Sequence, residues 1–235
     1  GKTTMVKLLC RLYDPDGGRV MLNGRNVREY DYEEYLRRFS VVFQDFQLLA
    51  LPLGENVAGG KDYDAARVRD CLEKAGFGKR LQRMKDGLST FLYRNMDQDG
   101  VEISGGEAQK IALARALYKD APIVVLDEPT AALDPVSEHE VYSGFRNLVG
   151  GRTAILISHR LSSCRFCDEI LVFHQGQLVQ RGSHEELVKE EEGLYASMLR
   201  AQAQYYEQDG AFVKQPCSTD SPSCELLSYM LTLKQ

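Results

Sequence analysis

A chain of 235 residues is long enough for one sizeable domain, or for a domain with a small lobe. Its net charge of −5 argues against a nucleic-acid-binding surface, which shows as a basic excess or stripe. It has no run of about eighteen apolar residues to span a bilayer, and its six scattered cysteines fit a reducing compartment better than a disulfide framework.

In chain order, an amphipathic helix is expected over Thr3–Tyr13, then a turn at Asp14-Pro15-Asp16-Gly17-Gly18. A strand at Arg19–Leu22 ends in Asn23-Gly24, a strong turn signal. Tyr30, Tyr32 and Tyr35 alternate with charged groups and read as a half-buried helix face, and Ser40–Phe43 reads as a buried strand. From about Leu53 to Ala116 the pattern turns helical, with Val68, Cys71, Leu72 and Ala75 on one face of a helix. Beyond Asp120 strands and helices alternate. Ile123–Leu126 is a strand, Pro135–Leu148 a helix with Pro135 in its first turn, and Ala154–Ile157 a strand. Ile170–Phe173 and Gln177–Gln180 form a hairpin across Gln175-Gly176, and Ser183-His184-Glu185-Glu186 opens a further helix with a capping box. This alternation implies an α/β fold with a mainly parallel sheet core. Residues 209–235 change character: Asp209 to Cys224 is rich in Ser, Pro, Gly and Asp and reads as loop or disorder. The apolar octet Leu226–Leu233 is too short for a transmembrane helix and would dock on the domain or on a partner.

Three segments carry chemistry. Ile103-Ser104-Gly105-Gly106-Glu107 puts two glycines at the start of a helix, where bare backbone N–H groups and the positive dipole end meet an anion. Ser104-x-x-Glu107 is also a capping box, since capping and phosphate binding use the same helix end. Ile123-Val124-Val125-Leu126 is the continuous apolar run of a strand buried on both faces, and Asp127 and Glu128 leave it at its carboxyl end, where open α/β sheets bind ligands. Adjacent carboxylates there need compensation, a need that Mg²⁺ at Asp127 and an attacking water at Glu128 would fit. Gly1-Lys2-Thr3-Thr4, running into a helix, is the second half of G-x-x-x-x-G-K-[ST]; Lys2 would reach the β/γ-phosphates and the Thr3 hydroxyl would hold Mg²⁺.

In this order and spacing, residues 1–208 resemble the nucleotide-binding domain of an ATP-binding-cassette transporter: a P-loop NTPase-type core with a helical signature-motif subdomain at about 53–116. The resemblance implies ATP as nucleotide and Mg²⁺ as cofactor, with Gly1, Lys2, Thr3 and Thr4 in the phosphate loop. Gln44 in VVFQDFQ matches the glutamine that senses Mg²⁺ or water and contacts the membrane domain. Ser104, Gly105, Gly106 and Glu107 match the signature that closes on ATP held by a partner domain. Asp127 is the matching metal-binding aspartate and Glu128 the catalytic glutamate. Ala131-Ala132-Leu133-Asp134 resembles the D-loop, and His159 in ILISHRLS matches the histidine at the γ-phosphate. LYDPDGGRVMLNG and the Arg-Leu that follows His159 are similar to the exporter class. The implied partners are a second nucleotide-binding domain, head to tail, and a transmembrane domain, at the cytoplasmic face of a membrane; no nucleic acid is implied.

There are three departures. Glu107 stands where Gln is usual, residues Asp97 to Glu102 only loosely resemble the acidic loop before an exporter signature, and the first half of the phosphate motif and the adenine-stacking aromatic are missing, so the chain reads as a fragment. Two other readings share the fold: a soluble repair or translation cassette, and a non-catalytic nucleotide-binding fragment. No heptad run separates Lys2 from Ser104, and Glu128 and His159 are intact, which disfavours both. Cys164-Arg165-Phe166-Cys167 lacks the second pair a zinc site needs and reads as core packing. His139, His174 and His184 read as solvated surface residues.

Overall fold

The computed structural model describes residues 2–95, 97–128, 149–158, 161, 164, 167–208 and 230–234. Two compact units divide the chain: Gly1–Val27 with Thr153–Gln235, and Arg28–Arg152.

Helix α1 (Lys2–Leu9) opens the first unit and is shorter than expected, because Arg11 takes a positive φ of 55° and turns the chain after Cys10. A hairpin of β1 (Met21–Leu22) and β2 (Arg25–Asn26) follows. Its tip, Asn23-Gly24, has φ values of 51° and 76°, the left-handed pair that a two-residue hairpin turn requires.

The second unit holds α2 (Tyr32–Arg37), β3 (Phe39–Val42), α3 (Leu53–Ala58), α4 (Ala65–Lys74), α5 (Gly78–Leu81), α6 (Gly105–Lys119) and β4 (Ile123–Asp127). Asp31 caps α2 through the Glu34 N–H, and Asp64 caps α4 through the N–H groups of Ala66 and Arg67. Of the three tyrosines, Tyr35 is buried against Phe39 while Tyr32 stays exposed. Strands β3 and β4 pair in parallel from Phe39↔Ile123 to Val42↔Leu126, and their side chains are almost wholly buried, as the apolar run at 123–126 requires. Helix α6 buries Ile111, Ala112, Leu113, Ala114 and Ala116 and packs against α3 and α4, which contribute Leu53, Val57, Val68 and Leu72. Each fully buried Leu or Ile is worth about 1.5–3 kcal/mol, so this face fixes where α6 begins. The Ser40 hydroxyl adds a buried hydrogen bond of 2.9 Å to the Ala116 carbonyl, tying β3 to α6.

Returning to the first unit, the chain forms β5 (Thr153–Ile157), β6 (Glu169–His174), β7 (Gln177–Gly182), α7 (His184–Lys189), α8 (Leu194–Gln208) and β8 (Met230–Lys234). Strands β6 and β7 are the expected antiparallel hairpin, turning on Gln175 and Gly176 at φ 48° and 80°. The end of the apolar octet supplies β8, which pairs antiparallel with both β5 and β6. Those two strands therefore run in the same direction with β8 between them. A cluster of Leu161, Cys164, Ile170, Val172, Leu187, Tyr195 and Met198 forms the core beside them. Neither Cys164, which is buried in this cluster, nor the half-buried Cys167 forms a disulfide.

His184 corrects the surface reading. It is half-buried, its Nδ1 lies 2.6 Å from the Tyr195 hydroxyl, and the two rings meet edge to face. The apolar neighbours Leu187, Leu194 and Met198 bury Tyr195 completely, and its hydroxyl needs a polar partner that His184 supplies. The helix expected at Pro135–Leu148, His139 and the loop-like stretch 209–229 lie outside the described residues.

Candidate active site

The second unit brings three separated sequence motifs to one cleft. Gln44, Phe46, Tyr93, Gly105, Gln109 and Glu128 are among the residues lining a space of about 490 Å³. Gln44 follows β3 and Glu128 follows β4, so the parallel pairing of these strands delivers both residues at the carboxyl ends of neighbouring strands. Gly105 is the first residue of α6.

At the start of α6, Ser104 and Glu107 form the expected capping box. The Glu107 N–H donates to Ser104 Oγ at 3.3 Å, and Glu107 Oε2 accepts from the Ser104 N–H at 3.0 Å and from its hydroxyl at 3.1 Å. Gly105 and Gly106 carry no side chain across this helix end, which leaves its N–H groups open to an anion. The second carboxylate oxygen, Glu107 Oε1, lies 2.9 Å from Arg80 Nε on α5, a contact of charge rather than an aligned hydrogen bond.

Asp127 closes β4 with only 1% of its surface exposed, whereas Glu128 is half-buried at the cleft and has a φ of 51°. A left-handed backbone costs a non-glycine residue roughly 1–2 kcal/mol, and here the chain also precedes Pro129. Gln109, 4% exposed on α6, donates from Nε2 to the Glu128 carbonyl at 3.3 Å.

Below the cleft, a second network sets the chain after Gln44. Buried Asn56 accepts from the Leu49 N–H at 2.9 Å and donates to the carbonyls of Leu49 and Leu51 at 2.9 and 3.0 Å. Arg115 on α6 donates to the carbonyls of Asn56 at 2.8 Å and Gln47 at 3.4 Å. Burial pushes the Arg115 guanidinium pKa below its ordinary value. Gln109, Tyr93, Asn56, Arg115 and Arg80 were not singled out from the sequence. Helical spacing offered one usable signal, because Gln109 and Arg115 sit on the same long helix as the glycine motif.

The metal expectation is tested by donor chemistry. Asp127 is a buried carboxylate at a strand end and Gln44, after the neighbouring strand, brings a neutral oxygen, donors of the kind a hard cation such as Mg²⁺ prefers. Among the described residues no group of three His, Cys, Asp or Glu side chains gathers as a metal cage.

Thr3 and Thr4 lie in the first unit, in the first turn of α1 (half-buried and exposed, respectively), and Lys2 is the first residue of that helix. Gly1, Ala131, Ala132, Leu133, Asp134 and His159 lie outside the described residues.

A strand-end carboxylate pair, a glycine-opened helix and a lysine-threonine helix start define a P-loop-type nucleotide-binding ATPase domain. The ABC transporter family model matches residues 1–131, and the chain belongs to that family, as its ATPase domain. It is 43% identical over 211 residues to an ATP-dependent lipid A-core flippase of Burkholderia orbicola (strain AU 1054), covering 90% of this chain and 34% of that protein. The flippase of the same name from Paraburkholderia xenovorans (strain LB400) is 42% identical over 204 residues, covering 87% of this chain and 33% of the relative. Among solved structures, a bacterial Atm1-family ABC exporter with ATP bound matches with a TM-score of 0.79 and 36% identity, over 86% of this chain and 35% of that one. This chain thus spans about a third of the length of these relatives.

Proposed function

We propose that the chain is the ATP-hydrolysing engine of a membrane exporter. The observation that carries this reading is that Gln44 and Glu128, far apart in sequence, follow neighbouring parallel strands at their carboxyl ends and line one space. Glu128 holds a carboxylate at the cleft to orient and deprotonate a water attacking the γ-phosphate. The open N–H groups after Ser104 contribute positive potential to ATP held by a second nucleotide-binding domain docked head to tail. Lys2 and His159 add charge stabilisation at the phosphates, and Gly1, Thr3, Thr4 and Asp134 complete the nucleotide contacts. Asp127, Thr3 and Gln44 would hold Mg²⁺, which when bound neutralises charge on the phosphate oxygens. The hydrogen-bonded segment after Gln44 would pass cleft closure to a transmembrane domain at the cytoplasmic face. Organisation follows the same reading: residues 1–208 form the cassette, about 53–116 its helical lobe, and 209–235 an extension.

Among the described residues no helix is long and apolar enough to cross a membrane, so membrane segments would come from a fused or partner domain. The flippase relatives make a lipid the first cargo to test. The experiment is expression of the full product of the native gene, followed by reconstitution in lipid vesicles. Turnover of ATP with Mg²⁺ and ATP-dependent lipid movement between leaflets are expected. Absence of ATP turnover would refute the enzymatic reading, and turnover without movement of lipid would refute the cargo.

A further inference from the structure

Glu107 poses an electrostatic problem. The N-terminus of a helix carries about half a positive charge, and a carboxylate in the first turn reverses it, leaving about half a negative charge where a phosphate should sit. Yet Glu107 stands in that first turn. The structure shows both of its oxygens engaged. Oε2 faces the Ser104 N–H and hydroxyl at 3.0 and 3.1 Å, and Oε1 faces Arg80 Nε at 2.9 Å. Arg80 returns one positive charge, so the helix end with its counter-ion again carries about half a positive charge.

We propose that Arg80 is a positioning residue for this helix end: it holds the Glu107 carboxylate back and cancels its charge, so that α6 still attracts phosphate. This rests on the reading of α6 as a contact for ATP. The arrangement is particular to a chain with Glu at this position, because a neutral glutamine would cap the helix without needing a cation. The competing account is an ordinary half-exposed ion pair, which adds little to stability and nothing to nucleotide. Side-chain exposures of 37% for Arg80 and 28% for Glu107 permit replacement without opening a core.

The test uses the native gene product, comparing steady-state ATPase kinetics of wild type, Arg80→Met, and Arg80→Met combined with Glu107→Gln. Arg80→Met should raise the KM for ATP about 3- to 10-fold with little change in kcat, and the rise should shrink at high salt. The double variant should bring the KM back to within about twofold of wild type, because it removes the uncompensated charge. A purely structural pair would lower the melting temperature and leave the KM unmoved, and that result overturns the proposal. So would a double variant as impaired as Arg80→Met alone. A wild-type protein without ATP turnover is a different result: it removes the functional reading on which the proposal stands.

Discussion

Two helices in this chain start with the same local chemistry and do different things. Helix α6 opens on Ser104-Gly105-Gly106-Glu107 and α7 on Ser183-His184-Glu185-Glu186. Their capping boxes nearly superimpose in their numbers. The serine N–H to glutamate bond is 3.0 Å in one and 2.8 Å in the other, and the return bond from glutamate N–H to serine Oγ is 3.3 Å in both. What differs is the pair between serine and glutamate. In α7 these positions carry His184, which packs on Tyr195, and Glu185, a second carboxylate on the helix end. In α6 they carry nothing but hydrogen, and the glutamate has Arg80 as counter-ion. A capping box sets where a helix begins; the residues inside it decide whether that beginning remains available to a ligand.

The largest expected effect lies at the chemical end of the comparison. Glu128→Gln in the native gene product should lower ATP turnover by roughly 10²–10⁴, the usual worth of a positioned base, while ATP binding measured by calorimetry survives. Unchanged turnover would take Glu128 out of that role and leave the α6 cleft without its base. Exchanging the inner pairs comes next. Writing His-Glu in place of Gly105-Gly106 keeps the cap but adds a carboxylate and an imidazole to the open end, and should cost about tenfold or more in kcat/KM for ATP. The reverse exchange, Gly-Gly for His184-Glu185, should leave turnover alone and cost about 1–2 kcal/mol of stability in a denaturant titration, from glycine in a helix and loss of the His184–Tyr195 contact. Equal effects on turnover from both exchanges would dissolve the distinction.

A smaller effect is expected two residues past each box. Gln109 occupies the position in α6 that Val188 occupies in α7; Gln109 is buried and holds the Glu128 carbonyl, whereas Val188 is exposed. Gln109→Leu should lower kcat about 3- to 10-fold, the value of one hydrogen bond felt at Glu128, with the KM for ATP unmoved. Substitution of Val188 by a polar residue should change neither quantity. A Gln109→Leu enzyme with wild-type kcat would make that bond merely structural.

Local chemistry made much of this legible. The Asn23-Gly24 turn, both capping boxes, the apolar strand at 123–126 and the face of α4 each follow from rules that act over a few residues. The meeting of Gln44, Gly105 and Glu128 at one cleft was not read from the sequence, and for Gln44 and Glu128 it follows in space from the parallel pairing of β3 with β4. What stayed illegible depends on contacts distant in sequence. Arg80 meets Glu107 across 27 positions, Arg115 reaches Asn56 across 59, and neither residue differs by type from the surface arginines around it. His184 was misread for the same reason: a polar stretch looks solvated until Tyr195, 11 residues on, folds over it. The place of β8 between β5 and β6 likewise has no signal in an apolar octet beyond its wish to be covered.

The smallest expected effect concerns charge in the capping box at 183–186. Hydrogen bonds from the Ser183 N–H, then from its hydroxyl, hold the Glu186 pKa below the usual carboxylate range, with Lys189 adding to the same direction. A carboxylate whose folded pKa is depressed stabilises the fold above its unfolded pKa, and this stabilisation is lost as pH falls through the folded value. Glu186→Gln should therefore melt slightly below wild type at neutral pH. The gap should narrow as the solution is acidified through and below the usual carboxylate range, where both proteins carry a neutral side chain. ATP turnover at neutral pH should not change, because α7 carries its pair of side chains where α6 presents bare backbone. A melting gap that stays constant into acid would mean that the amide fails by shape rather than by charge. The capping box at 183–186 would then owe its stability to packing, and the electrostatic argument for its counterpart at 104–107 would have to stand on the Arg80 kinetics alone.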